Sequence, residues 1–104
     1  MSNFEFMGEL VSPDGRRRKL WVSLESGPSS YDADNKHVID TPLYKVENFI
    51  CQGIGGIVEP NDPVNGNHVE DNKIKLVWKG YDGTEASSGD DLSDRAVLII
   101  AWGD

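Results

Sequence analysis

The chain has 104 residues, 38% of them hydrophobic and 27% charged, which is enough apolar material for one ordinary globular domain and argues against wholesale disorder. Its formal net charge of −8 speaks against a surface made for nucleic-acid phosphates, which needs basic patches. The same charge suits cations, basic protein surfaces or simple solubility, and a lone cysteine, Cys51, leaves no internal disulfide to form.

The opening MSNFEFMGELV lacks the basic start and continuous apolar stretch of a signal peptide. The longest apolar run, AVLIIAW, falls far short of the roughly 20 residues that span a bilayer. The expectation is one compact domain over residues 1–104, cytoplasmic or virion-associated, with no direct contact to nucleic acid or membrane.

Taken in order, Phe4, Phe6 and Leu10 share one face of an extended segment, with Glu5 and Glu9 on the other. The turn S-P-D-G at Ser12–Gly15 follows, and then a second alternating run that places Leu20, Val22 and Leu24 inward and Trp21 and Ser23 on the opposite face. Together they predict an opening β-hairpin. Its tip carries Arg16, Arg17, Arg18 and Lys19, the chain's one basic cluster. Such a cluster reads as a solvated turn that balances neighbouring acids, or, more sharply, as a contact for an anion or an acidic partner.

A polar connection, ESGPSSYDADNK, comes next. Its D-A-D-N opens like a calcium loop, but Lys36 and His37 stand where that pattern needs an oxygen donor and a glycine. In TPLYKVENFICQGIGG, Thr41 as N-cap, Pro42 behind it, apolar residues at 43, 46, 49 and 50 and Gly53 as a stop predict one short helix over residues 42–52. A short strand starts at Ile57 and Val58. After a polar loop, Ile74, Leu76 and Trp78 alternate with Lys73, Lys75 and Lys79 in a strand that leads through an acidic loop into RAVLIIAW. The two strands read as a closing hairpin. The fold class is mainly β, a β-sandwich or small barrel, or α+β if the short helix at 42–52 forms.

No catalytic signature emerges, and the chain is not expected to be an enzyme. Cys51 among Phe49, Ile50 and Ile54 reads as a buried, inert thiol, and His37 and His68 lack the spacing of a zinc site. G-I-G-G at Gly53–Gly56 lacks the Lys and Ser/Thr of a phosphate-cradling loop, so a helix stop and a strand entry account for it.

The loop at 81–94 differs in kind. It gathers Asp82, Glu85, Asp90, Asp91 and Asp94 with no Lys or Arg among them. Close carboxylates repel one another unless a cation or solvent separates them. Calcium takes about six to eight hard oxygen ligands, which these residues with Thr84, Ser93 and backbone carbonyls would supply. The plainer reading is a solvated loop that keeps the protein soluble.

The segment YDGTEASSGDDLSDRAVLIIAWGD resembles the C-terminal end of the bacterial calcium-dependent fucose/mannose lectins. Asp82-Gly83-Thr84-Glu85 matches that family's D-G-T-D turn, Asp91-Leu92-Ser93-Asp94 its ligand run, and Ala96 to Trp102 its closing strand. Tyr81 stands where the family has a ligand glutamate, and Ser93 where it has asparagine. The resemblance implies a β-sandwich that holds calcium and, through it, sugar hydroxyls, with Trp78, Tyr81 or Trp102 offering an apolar face to a sugar ring. The other expectation, set first, is a small acidic interaction protein acting on a protein partner with a basic surface: a phage-type structural component, or an acidic inhibitor of a nucleic-acid-binding machine. An exposed hydrophobic edge in the final strands would add a two-fold homodimer.

Overall fold

The computed structural model describes residues 3–104. Its strands are β1 (Glu5–Val11), β2 (Arg17–Ser26), β3 (His37–Asp40), β4 (Val46–Ile54), β5 (Ile57–Pro60), β6 (Val69–Glu70), β7 (Lys73–Lys79) and β8 (Ala96–Gly103), with one 3-10 turn at Pro63–Asn65. They form two antiparallel sheets. Sheet A runs β1-β2-β8-β4, and sheet B runs β3-β7-β5 with β6 also paired to β7. The mainly β expectation holds, in its two-layer form.

One hydrophobic cluster draws on both sheets. From sheet B come Ile74, Leu76 and Trp78, all fully buried, with Val58 beside them. Sheet A contributes Val97, Ile99, Ala101, Val46 and Phe49. The two long loops close one end of the cluster, and they are tied to each other by main-chain bonds: Tyr31 N to Asp90 O at 2.9 Å, Gly89 N to Tyr31 O at 2.8 Å and Leu92 N to Pro28 O at 2.8 Å. Tyr31 and Leu92 are the side chains these loops bury.

The opening hairpin forms as expected, with Phe6 opposite Trp21 and Val11 opposite Arg17. Its facing differs from the expectation. Ser23 is buried and Leu24 is 59% exposed, so Trp21 and Ser23 point into the core while Leu20, Val22 and Leu24 point out. A bulge between Phe6 and Gly8 also advances the phase of β1 by one residue, which puts Phe6 and Leu10 on opposite faces.

A second correction concerns residues 42–52, which form no helix. Residues 42–45 are bends, and Val46 begins β4, which pairs with β8 through Ile54. The Thr41 side chain does organise a turn, donating to Asn72 O at 2.7 Å and accepting from Leu43 N at 3.3 Å. The helix-like spacing has another origin. A bulge between Val46 and Asn48 lets Val46 and Phe49, three apart, both face inward, as they would on a helix.

The third correction concerns the closing strands. β7 and β8 are strands as expected, but they lie in different sheets and do not pair. The loop between them crosses from one layer to the other.

The glycines at 53–56 also find their role here. Residues 55 and 56 carry the chain from sheet A to sheet B, with Gly55 at φ +82°. At Gly53 an added Cβ would lie 2.3 Å from Gly56 O and 2.9 Å from Val58 N, both main-chain atoms that cannot swing aside. Gly53→Ala is therefore expected to cost about 2 kcal/mol, the usual scale of overpacking, read as a lower urea midpoint with an unchanged m-value. An unchanged midpoint would mean that β4 and β5 do not approach each other so closely.

Candidate functional site

The acidic loop does not assemble into one site. Asp82 Oδ1 accepts from Thr84 N at 3.0 Å, and Asp91 Oδ1 accepts from Ser93 N at 3.0 Å and Ser93 Oγ at 2.6 Å. Asp90 Oδ2 accepts from Ser87 N at 2.9 Å, and Asp94 is exposed. Each of these bonds closes a local turn of the sort that Asp favours in loops. The Ser93 hydroxyl and amide hold the Asp91 carboxyl below its ordinary value. Among the described residues, no group of three or more His, Cys, Asp or Glu side chains is placed to hold a metal ion.

Glu85 has turned away from the others, toward the core. Its carboxylate takes the Lys36 ammonium at 2.8 Å and the Tyr31 hydroxyl at 2.8 Å. The Lys36 hydrogen bond, more than the opposing partial burial, holds the Glu85 carboxyl below its usual value near 4.5. The Tyr31 oxygen also lies 3.4 Å from Trp78 N, and Trp78 Nε1 donates to His37 Nδ1 at 3.0 Å. Trp78 is fully buried, so its ring presents no open face at the surface. Tyr81 is 76% exposed at the start of the loop, and Trp102 is half-buried on the opposite layer, so the three aromatic candidates do not converge.

The basic tip is likewise occupied. Arg16 reaches Asp104 at 3.3 Å, Arg17 reaches Glu9 at 3.1 Å, and Arg18 pairs with Glu47. Lys19 makes no ion pair among the described residues. Cys51 points toward sheet B, with Sγ 3.6 Å from Val58 O, and burial pushes its thiol up to about 11, far from a reactive thiolate.

The surfaces of the two sheets differ sharply. On the outside of sheet B the alternate residues of β7 are lysines and Val77, and the lysines are held by acids: Lys73 by Asp40, Lys75 by Glu70 and Lys79 by Glu59. That is a solvated face. On the outside of sheet A the rows are largely apolar across β2, β8 and β4, with Glu5 of β1 beside Val22. Leu20 lies beside Trp102, and Val22 beside Ile100, with Ile50 on the far side. Leu24 lies beside Leu98, followed by Gln52. Leu24 is 59% exposed, Ile50 57% and Leu98 40%, so nothing within the described chain covers them.

Alternation alone assigns Leu20, Val22 and Leu24 to the core, which hides this face from the sequence. A signal for it was nevertheless present. AVLIIAW is apolar at every position, which is the pattern of a strand covered on both faces, whereas KIKLVWK is the pattern of a strand covered on one. No protein-family model matches the chain, and neither a curated protein nor a solved structure matches it. No helix among the described residues is long and apolar enough to cross a membrane.

The buried cluster behind the acidic loop has a pH signature. Burial holds the His37 imidazole below its ordinary 6.5, with Glu25 pulling weakly the other way. The unfolded chain therefore takes up the proton first. The stability His37 supports is complete above about pH 6.5 and declines as pH falls from there toward the folded value. Glu85, held low, loses its contribution only as pH falls below its usual value near 4.5, so its window is lower. Thermal melts from pH 8 to 5 are expected to show a falling Tm below pH 6.5. That fall should flatten in His37→Gln, which keeps an acceptor for Trp78 but cannot titrate. An equal fall in both proteins would place the acid sensitivity elsewhere.

Proposed function

We propose that this protein is a small acidic interaction protein that acts through protein–protein contacts, a structural component of an assembly, and that the outer face of sheet A makes those contacts. The observation that carries this reading is the contrast between the two outer faces. Sheet B meets water with ion-paired lysines, while sheet A presents rows of Leu, Ile, Val and Trp. An apolar patch of that extent on a small protein marks an interaction site far more often than it marks ordinary surface. A phage-type structural component fits this reading. An acidic inhibitor of a nucleic-acid-binding machine fits it less well, because its contacts would run through carboxylates, and here Asp82, Glu85, Asp90 and Asp91 are engaged in local turns and an ion pair.

The alternative, a calcium-dependent carbohydrate-binding module, draws less support for the same reason: Glu85 is engaged by Lys36 and Tyr31, and Asp82, Asp90 and Asp91 cap their own turns. A Tm that rises with calcium but not with magnesium would favour that alternative.

A photo-crosslinking amino acid at position 98, and separately at position 77 on sheet B, tests the interaction reading in cells that make the protein. Covalent protein adducts are expected from position 98 and not from position 77. Adducts from position 77 alone, or from neither, would overturn the assignment of the face.

A further inference from the structure

We infer that Asn65 is a site of self-modification. The Gly66 main-chain nitrogen closes onto the Asn65 side-chain carbonyl, ammonia leaves, and a carboxylate remains at position 65, at a rate restrained by Asp62. The inference concerns the loop between β5 and β6 and stands independently of the interaction reading above.

The chain has seven asparagines, and Asn65 alone is followed by glycine. Ring closure requires the next residue's nitrogen to reach the asparagine Cγ. A side chain on that residue obstructs the approach and narrows its backbone freedom, and glycine does neither. The step balances without an oxidant or reductant. The Gly66 nitrogen gives up its proton and bonds Asn65 Cγ, the bond from Cγ to Nδ2 breaks, and Nδ2 departs with that proton as ammonia. Water then opens the five-membered imide at one of its two carbonyls. Opening at Cγ leaves an ordinary aspartate, and opening at the main-chain carbonyl leaves isoaspartate, with the backbone rerouted through the side chain.

The structure leaves this pair open. Asn65 is the last residue of the single 3-10 turn, both it and Gly66 are exposed, and a Cβ added at Gly66 would meet nothing within 4 Å. Among the described residues the Gly66 amide is held by one main-chain bond, to Pro63 O at 3.3 Å. The two Asp-Gly pairs differ. Gly15 N donates to Ser12 O at 2.8 Å and Gly83 N to Gly80 O at 2.9 Å, and the ionised carboxylates before them resist a nucleophile. Asp62 is the restraint on Asn65. Asn65 Nδ2 lies 3.1 Å from both Asp62 oxygens, which fixes the amide, and the negative charge beside it opposes loss of the Gly66 proton. Asp62 in turn sits at φ +43°, a left-handed conformation kept in place by the Asn65 bonds and by Asn67 Nδ2 at 2.8 Å. Conversion removes the Asn65 donors and sets a second carboxylate against Asp62, one charge beyond the chain's −8. The loop that delivers His68 and β6 is then released in one direction only, because the lost ammonia does not return.

Incubation of the purified full chain at neutral pH and body temperature, followed by peptide mapping with mass spectrometry, tests the inference. A free peptide of sequence PVNGNH, kept in the same buffer, serves as the clock. Conversion is expected at Asn65 first, giving both aspartate and isoaspartate, with Asn67 and Asn72 still intact. Asn65→Gln should stay unmodified at that position, because its ring would need a sixth member. Asp62→Ala is expected to convert Asn65 about tenfold faster than wild type, the worth of one hydrogen bond to a charged group. Asp62→Asn, which keeps an acceptor without the charge, should fall between the two. All three variants should keep the wild-type circular dichroism spectrum, since the turn buries no side chain. Asn65→Asp reproduces the ordinary product and should speed hydrogen exchange at the amides of Gly66 and Asn67. A chain still intact at position 65 when the free peptide is fully converted overturns the inference, and so does earlier conversion at Asn67 or Asn72. A rate in Asp62→Ala no higher than wild type overturns the restraint.

Discussion

Strand β8 is hydrogen-bonded along both sides from Ala96 to Gly103, to β2 on one flank and to β4 on the other. No other strand of sheet A has two full-length neighbours, so its alternation sets which residues of the sheet face inward. Val97, Ile99 and Ala101 are completely buried, and the residues opposite Ile99 and Ala101 take the same direction: Ser23 and Trp21 on one side, Cys51 and Phe49 on the other. A shift of one residue in either register would turn a whole strand inside out. The core is therefore specified more by β8 than by the hydrophobicity of its neighbours, which is how a serine comes to be buried while a leucine beside it in sequence is exposed.

The loops are anchored by polar bonds that reach into that core. Tyr31 enters from the connection after β2, and its hydroxyl stands between Glu85 and the main chain of Trp78. Lys36 completes the charge pairing, and His37 receives the Trp78 indole. Burial raises the Tyr31 phenol far above its ordinary value, so it stays a neutral donor throughout the physiological range. A buried hydroxyl or indole N–H left unpaired would cost more than the bond itself is worth. The cluster thus explains why two long, polar segments hold fixed positions against an apolar core, and why the most deeply placed carboxylate of the acidic loop is already engaged.

Much of this was legible in the sequence, and two of the differences share a cause. Period-two alternation located β7, and a continuous apolar run located β8. Turn chemistry located the first hairpin. Those two arise where that period breaks. The bulge near Gly8 separates Phe6 from Leu10, and the bulge after Val46 gives a strand the three-residue spacing of a helix. Neither can be read from residue types, because a bulge is fixed by the neighbouring strand as much as by its own. The acidic loop is a different case: its carboxylates are adjacent in sequence, but Asx-type turns and Lys36 each engage one of them separately. The outer face of sheet A was visible only as a property of β8, and it required knowing that β8 lies at the middle of its sheet.

The two bulges share one further property. They lie on β1 and β4, which are the two edge strands of sheet A. An edge strand with regular spacing offers its free N–H and C=O groups as a template, and any chain that adds there exposes a new edge in turn. Such growth has no natural end, and it leads toward filaments and aggregates. A bulge throws the edge out of step and strengthens its local twist, so an incoming strand loses register after a few residues. Sheet A is thus poorly suited to lengthening sideways at either margin. A protein that carries this much exposed apolar surface can then stay dispersed at concentrations where an unbroken edge would polymerise.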